Sequence, residues 1–428
     1  MKIYRLPFFT IPAILLLFCG CGRVCENPDY AFTLAGATPE GYQAVTEQTV
    51  YGEAGRTYGY DLGMAQNGTG PFFFSAGLPE GNYLVTVVLG GKEASVTTVK
   101  SESRRLMLEN IATAAGEQSE QTFTVNIRNK YYGQNDSVRI NTREIGKLIW
   151  DDKLTLEFNG VNPLVSQIRI DSANYLPTIF LAGNSTVVDE ANEPWCGWGQ
   201  IFPRFMSTGV VVANYAESGL AANSFVSSRR FAKLLTRMKA GDYLFIEFGH
   251  NDQKQKGEDK GPYTSYKSSL KYLVDKTREK GGTPILITPV HRRRFDENGR
   301  VVNTHGEYPD AVRQLAAEEK VYLIDLNTMS ETLYEAWGTE ASKRAFVHYP
   351  AGTFPGQNDS LADNTHFNTY GGYQITRCIV QGIRDNDIPL KTYIREEINT
   401  FDPAKPDDPD KFNIPATPFF SIIKPLGN

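Results

Sequence analysis

A chain of 428 residues is long enough to bury two separate cores, so two domains are expected. Its net charge of -5 excludes an ordinary nucleic-acid binder, which needs a basic surface to displace counterions from phosphate, and its 12% aromatic content excludes a disordered chain. Three of the five cysteines (Cys19, Cys21, Cys25) crowd the amino terminus, which excludes a disulfide scaffold.

The first element is an address. Lys2 and Arg5 precede an apolar run over 11–18 that is too short to span a bilayer, so residues 1–20 read as a signal peptide. The run ends in Leu17-Phe18-Cys19-Gly20-Cys21, similar to a bacterial lipoprotein signal, in which cleavage exposes a cysteine for acylation. The small Gly20 makes Cys21 the expected lipid acceptor; Phe18 departs from the small-aliphatic pattern, and simple secretion is the competing reading. In both cases the mature chain is exported to face the periplasm or cell surface, and its only expected membrane contact is the lipid anchor. Cys196 and Cys378 are expected to be two buried thiols, with pairing in an oxidising compartment as the alternative.

Residues 27–175 carry short strand-like runs, among them Phe72-Phe73-Phe74, Tyr83-Leu84-Val85-Thr86-Val87-Val88-Leu89 and Leu154-Thr155-Leu156-Glu157-Phe158. Turn residues such as Gly90-Gly91 and Asn159-Gly160 separate them and no amphipathic helix intervenes, which predicts an all-β sandwich or jelly roll with its own core. This region offers no Ser/His/Asp set, so the chemistry is expected to persist without it.

Over 176–395 the pattern changes. Five apolar runs (Thr178-Ile179-Phe180-Leu181-Ala182, then runs over 210–213, 243–246, 284–287 and 321–324) alternate with helical stretches over 266–280, 308–320 and 370–384. Strands apolar on both faces and separated by helices predict an α/β domain with a parallel sheet covered on both sides. Residues 396–428 form a Pro- and Asp-rich extension expected to wrap the surface.

In open α/β sheets ligands bind beyond the carboxyl ends of the strands. There stand Gly183-Asn184-Ser185-Thr186, Glu217-Ser218-Gly219, Gly249-His250-Asn251-Asp252, Pro289-Val290-His291-Arg292-Arg293-Arg294 and, before the last helix, Asp363-Asn364-Thr365-His366-Phe367-Asn368. One serine, one glycine, one asparagine and an Asp-x-x-His pair are the parts of an acyl-transfer site.

These blocks, in this order, resemble the SGNH hydrolase superfamily over 177–383, and most closely its rhamnogalacturonan acetylesterase branch. The amino-terminal region, with Gly41-Tyr42 and Arg56-Thr57-Tyr58-Gly59-Tyr60, resembles the galactose-binding-like domain that precedes some of these esterases. The resemblance implies a three-layer, flavodoxin-like sheet domain and a carbohydrate esterase that removes acetyl groups from acetylated plant cell-wall polysaccharide or oligosaccharide. It also implies roles: Ser185 as nucleophile, His366 as general base, Asp363 as its orienting partner, and an oxyanion hole from the backbone N–H groups of Ser185 and Gly219 and the side-chain amide of Asn251. Asn184 stands where aspartate is common, an exchange that keeps the shape and alters the hydrogen bonds. Alternatives are an acetylxylan esterase, lipase or thioesterase of the same fold, and a non-catalytic carbohydrate-binding surface lipoprotein.

Four further readings concern side chains around these blocks. Arg292 and Arg293, at a strand mouth, are candidates for binding an anionic sugar, as is His291. His250 is expected to buttress its loop, and His305 and His348, for which no partner suggests itself, to be exposed. No His-x-x-x-His or comparable ligand pair occurs, so no metal and no cofactor are expected.

Overall fold

The computed structural model describes residues 29–67 and 69–426. The signal peptide and the Cys21 acceptor lie outside the described residues.

Residues 30–172 form two five-stranded sheets stacked face to face. In one the order is Gln43–Ala44, Tyr30–Thr33, Val165–Ser172, Gly81–Gly90, Gln118–Ile127; in the other, Tyr58–Asp61, Phe72–Gly77, Lys153–Val161, Ser95–Ser101, Arg105–Thr113. All pairings are antiparallel except that of Tyr30–Thr33 with the two-residue strand Gln43–Ala44. The period-two pattern sends Val85, Val87 and Leu89 inward against Leu154, Leu156 and Phe158, all fully buried. Thr86 and Thr122 face outward and bond to each other across the strands at 3.0 Å. The outer face of the second sheet is not left to solvent. Lys100 and Glu157, both buried there, bond to Thr417 of the carboxyl-terminal extension, and Phe73 packs on Phe419.

From residue 178 the fold is a parallel five-stranded sheet in the order Val211–Asn214, Thr178–Gly183, Tyr243–Glu247, Thr283–Ile287, Tyr322–Ile324. By chain order this is 2-1-3-4-5, the flavodoxin-like order, whose connections diverge between the first and third strands and open a crevice there. Alternate residues serve the two faces. Ile179, Leu181, Phe245 and Ile285 pack with helices Trp198–Ile201, Leu326–Ala341 and Thr369–Asp385. Phe180, Leu244, Ile246 and Leu286 pack with Ala222–Ser227, Arg230–Arg237, Lys267–Glu279 and Tyr308–Glu319. Each such buried side chain contributes roughly 1.5–3 kcal/mol, which is why the runs are continuous rather than alternating.

Two features go beyond the sequence-based expectation. Asp363 and His366, which the sequence placed only ahead of the last helix, lie on a strand, Leu361–Phe367, paired antiparallel with Phe346–Tyr349. The β-rich region has its own core, yet it is not independent of the sheet domain. Arg105 drives its buried guanidinium onto Asp189 at 2.6 Å, Arg104 pairs with Glu193 and donates to the Trp195 carbonyl, and Lys233 of the sheet domain reaches Glu80. Charges buried this deeply are tolerable only when paired, so the two regions are locked by partners that neither can supply alone. Cys196 and Cys378 are both buried and free; burial pushes the Cys196 thiol up to about 12.

Candidate active site

The first strand ends at Gly183, and the chain turns sharply so that Ser185 heads the turn 184–188. Asn184 shapes it: its Oδ1 accepts from Thr186 N at 3.0 Å and from Thr186 Oγ1 at 2.9 Å. Oδ1 is the atom that asparagine shares with aspartate, so the turn forms with either residue. The Nδ2 of Asn184 is buried without a partner among the described residues.

Ser185, His366 and Asp363 form one hydrogen-bonded row. Ser185 Oγ lies 3.0 Å from His366 Nε2, and His366 Nδ1 lies 2.8 Å from Asp363 Oδ2. The other oxygen of Asp363 accepts the backbone N–H groups of Thr365 at 2.7 Å and His366 at 2.9 Å. All three residues are at most 5% exposed, so these bonds act in a medium of low dielectric. Burial alone would raise the Asp363 carboxyl, but the His366 ring and the two backbone donors hold it far below the usual carboxylate range. A row of this kind can draw a proton from a serine hydroxyl, place it on an imidazole and stabilise the imidazolium.

Two further loops approach the same mouth. Gly219 has φ +85, a left-handed conformation that glycine adopts without strain. Asn251 donates from Nδ2 to the Leu220 carbonyl at 3.0 Å and accepts from Lys254 Nζ at 3.2 Å. A carbonyl can only accept and an ammonium can only donate, so the amide is fixed in one orientation with a second N–H to spare. Asp252 joins these loops, accepting from Ala222 N at 2.8 Å and Gly249 N at 2.9 Å.

The histidines divide. His250 bonds the Val290 carbonyl through Nε2 at 3.0 Å, inside the loop. His305, expected to be exposed, is instead buried: its Nε2 meets the same carbonyl at 3.0 Å. With the proton on Nε2, Nδ1 must accept, so Gln253 presents its amide nitrogen there at 3.0 Å and turns its oxygen to Arg292 at 2.9 and 3.1 Å. His348 is half-buried and bonds Asn364 at 2.8 Å. His291, a candidate for sugar contact, is at 1% exposure and faces the interior, 3.8 Å from Glu331 and without a hydrogen-bond partner among the described residues. The strand end delivers its backbone to the loop but folds the ring under the helix Leu326–Ala341, which removes it from the mouth.

Arg292, Arg293 and Arg294 line a surface cavity of about 560 Å³ with Lys254, Asn364 and Thr365, beside the His366 strand. Arg292 bonds Thr304 and the His250 carbonyl, and Arg293 bonds Ser342 and Asn364. These partners are neutral, and among the described residues none of the three arginines forms an ion pair, so the cavity keeps its positive charge.

Sequence reasoning missed four contributors. Glu247 closes the third strand, fully buried below the serine turn; it accepts from Trp198 Nε1 and from Val290 N at 3.3 Å, its Oε1 lies 3.1 Å from Thr186 Oγ1, and burial pushes it up to about 7. A charged residue ending an otherwise apolar strand was its only signal. Trp195 packs perpendicular to the His366 ring, with centroids 5.7 Å apart. Lys424 brings Nζ to 3.1 Å from Asp363 Oδ2, and Arg143 of the β-rich region pairs with Glu190 and Glu217. Trp195, Lys424, Glu190 and Arg143 line one cavity of about 640 Å³. Among the described residues no cluster of His, Cys, Asp and Glu could hold a metal ion.

Residues 181–373, from the first strand to the last helix, match the model of the GDSL-like lipase/acylhydrolase family. Rhamnogalacturonan acetylesterase RhgT of Bacillus subtilis is 44% identical over 218 residues, which are 50% of this chain and 93% of that protein. The chain belongs to the GDSL-like family. A second relative, the probable rhamnogalacturonan acetylesterase YesY of the same organism, is 34% identical over 51% of this chain and 98% of its own length. The crystal structure of YxiM from Bacillus subtilis is 23% identical and covers 84% of this chain and 99% of its own, with a TM-score of 0.46. As a GDSL-like hydrolase the protein is an esterase. The stretch matching the family encloses Ser185, Gly219, Asn251, Asp363 and His366, whereas Arg143 and Lys424 come from outside it.

Proposed function

We propose that the protein removes acetyl groups from acetylated pectin of the rhamnogalacturonan type through an acetyl-enzyme intermediate. The observation that carries this reading is the row from Ser185 Oγ through His366 to Asp363, with spacings of 3.0 and 2.8 Å. Ser185 Oγ attacks the acetyl carbonyl while His366 Nε2 takes its proton; Asp363 keeps the other ring proton on Nδ1 and balances the imidazolium. The carbonyl oxygen becomes an oxyanion, which the N–H groups of Ser185 and Gly219 and the free N–H of Asn251 stabilise. As the bond from the acetyl carbon to the sugar oxygen breaks, His366 Nε2 returns the proton to that oxygen, and the sugar leaves with a free hydroxyl. Water, deprotonated by His366, releases acetate and restores Ser185.

The substrate class rests on the names of RhgT and YesY and on the cavity of Arg292, Arg293 and Arg294, whose uncompensated charge suits the carboxylates of a galacturonate chain. Acetate release from acetylated pectin and acetylated xylan is the test. Release from pectin, abolished by Ser185→Ala, is expected; preference for xylan would move the substrate assignment to a neutral polymer. The sequence over 1–28 further supports export and acylation at Cys21, for which incorporation of a fatty-acid analogue lost in Cys21→Ser is the check.

A further inference from the structure

The β-rich region contributes no group to the chemistry just described, yet one of its arginines reaches the loop that carries Gly219. Arg143 sits on a short 3-10 turn, Thr142–Glu144, held in place by the Asn141 side chain at its start and by Glu144, which is buried against Trp150 and Arg230. Its guanidinium meets two carboxylates: Nη2 is 2.9 Å from Glu190 Oε2, and Nε is 2.7 Å from Glu217 Oε1, as an ion pair rather than an aligned hydrogen bond. Both carboxylates hold the same residue. Glu217 Oε1 accepts the Ser218 N–H at 2.9 Å, and Glu190 Oε1 accepts the Ser218 hydroxyl at 2.9 Å. Ser218 precedes Gly219 directly.

We propose that Arg143 is a positioning residue for the esterase reaction: by clamping Glu190 and Glu217 it fixes Ser218 and thereby aims the Gly219 N–H at the developing oxyanion. The proposal rests on the reading of Gly219 as an oxyanion donor. Its physical basis is charge. Glu217 is at 0% exposure and its Oε2 has no partner among the described residues, so without Arg143 two carboxylates in one poorly solvated pocket cannot both keep their charge. Burial already raises Glu217 to about 7, so it then takes up a proton or moves away from Glu190, and either change loosens the grip on the Ser218 N–H. A donor displaced by about 1 Å costs on the order of 10²-fold in rate without weakening ground-state binding. It follows that the active centre is composite, completed by a region outside the family's own boundaries.

The test uses the full-length chain and a small neutral acetyl ester, which avoids the arginine cavity. Arg143→Ala is expected to lower kcat by about 10-fold to 10²-fold at nearly unchanged KM. Arg143→Lys should recover part of the loss, Arg143→Gln should not, and guanidinium ion added to Arg143→Ala should raise kcat. Arg169→Ala, on an exposed pair with Glu120, is the control expected to keep wild-type kcat. Melting temperatures are read in parallel, and should the alanine variant not fold, the Lys and Gln variants carry the comparison. Wild-type kcat in Arg143→Gln, or equal loss with Lys and Gln and no rescue, overturns the proposal. Ser185→Ala separates the two failures: if it is inactive while the Arg143 variants are normal, the esterase reading stands and the clamp falls; if it is active, both fall.

Discussion

Asp363 holds His366 at two points, by the ring and by the backbone. Its Oδ2 lies 2.8 Å from Nδ1, while its Oδ1 accepts the His366 N–H at 2.9 Å together with that of Thr365. The second grip has a consequence for Asp363→Asn. Two backbone donors keep an oxygen at Oδ1, so the new amide nitrogen must face the ring, and Nδ1 must accept. The ring proton then moves to Nε2, where it opposes the Ser185 hydroxyl. The variant is expected to lose about 10³-fold to 10⁴-fold in kcat with little change in KM. A loss under about tenfold on a small acetyl ester would mean that another group sets the tautomer.

Much of this was legible in the sequence because it depends on local pattern. Apolar runs serving both faces specify the parallel sheet, and Ser185, Asn251 and His366 could be singled out because each sits in a block at a strand end. What stayed hidden depends on neighbours distant in the chain. His305 looked unpartnered because the Val290 carbonyl and Gln253 come beside it only in the fold. The Asp363-to-His366 stretch did not read as a strand because its polar side chains are spent on each other rather than alternating in and out. Helix Leu326–Ala341 is hard to read from the sequence because Asn327 and Ser330 interrupt its buried face, where Ser330 accepts the His291 backbone N–H. Arg143 and Lys424 lie in segments with no motif, and only contact with Glu217 and Asp363 reveals them.

Glu247 gives a pH-dependent test of the floor beneath Ser185. The Thr186 hydroxyl has one proton and two oxygen neighbours, Asn184 Oδ1 at 2.9 Å and Glu247 Oε1 at 3.1 Å. Asn184 Oδ1 cannot donate, so when Thr186 bonds it, the carboxyl of Glu247 supplies the other proton, in keeping with its rise by burial to about 7. The folded chain therefore keeps a proton that the unfolded chain loses above 4.5. This contribution to stability is complete below 4.5 and is lost as pH rises to about 7. Glu247→Gln mimics the protonated form at every pH. Denaturant unfolding should show wild type losing ground to the variant across that window, then running parallel; a constant difference would place the proton elsewhere.

His291 carries the opposite sign. Burial, with the charge of Arg313, lowers it to about 4, whereas an unfolded histidine titrates near 6.5. Wild type therefore loses stability as pH falls through 6.5 and on to 4, because only the unfolded chain gains the proton. The ring nitrogens have no hydrogen-bond partner among the described residues, and phenylalanine has a similar shape without polar atoms. His291→Phe should thus be stabilising by about 1 kcal/mol at neutral pH, and the gain should grow on acidification. A destabilised variant with wild-type pH dependence would show that the imidazole is satisfied by water.

Arg294 offers the cleanest test of how substrate charge is recognised. Arg292 is bound to Thr304 and the His250 carbonyl, and Arg293 to Ser342 and Asn364, so changing either disturbs the loops that frame Asn251 and His366. Arg294 is exposed and lines the same cavity. Removing its charge weakens attraction for a polyanion while leaving the serine row intact. Arg294→Gln is therefore expected to raise KM on acetylated pectin severalfold and to leave kcat and KM on a neutral acetyl ester unchanged. Because the attraction acts through solvent, the pectin effect should shrink as ionic strength approaches about 1 M, where the screening length falls to about 3 Å. Equal losses on both esters, insensitive to salt, would make Arg294 a structural residue and remove the cavity from the substrate path.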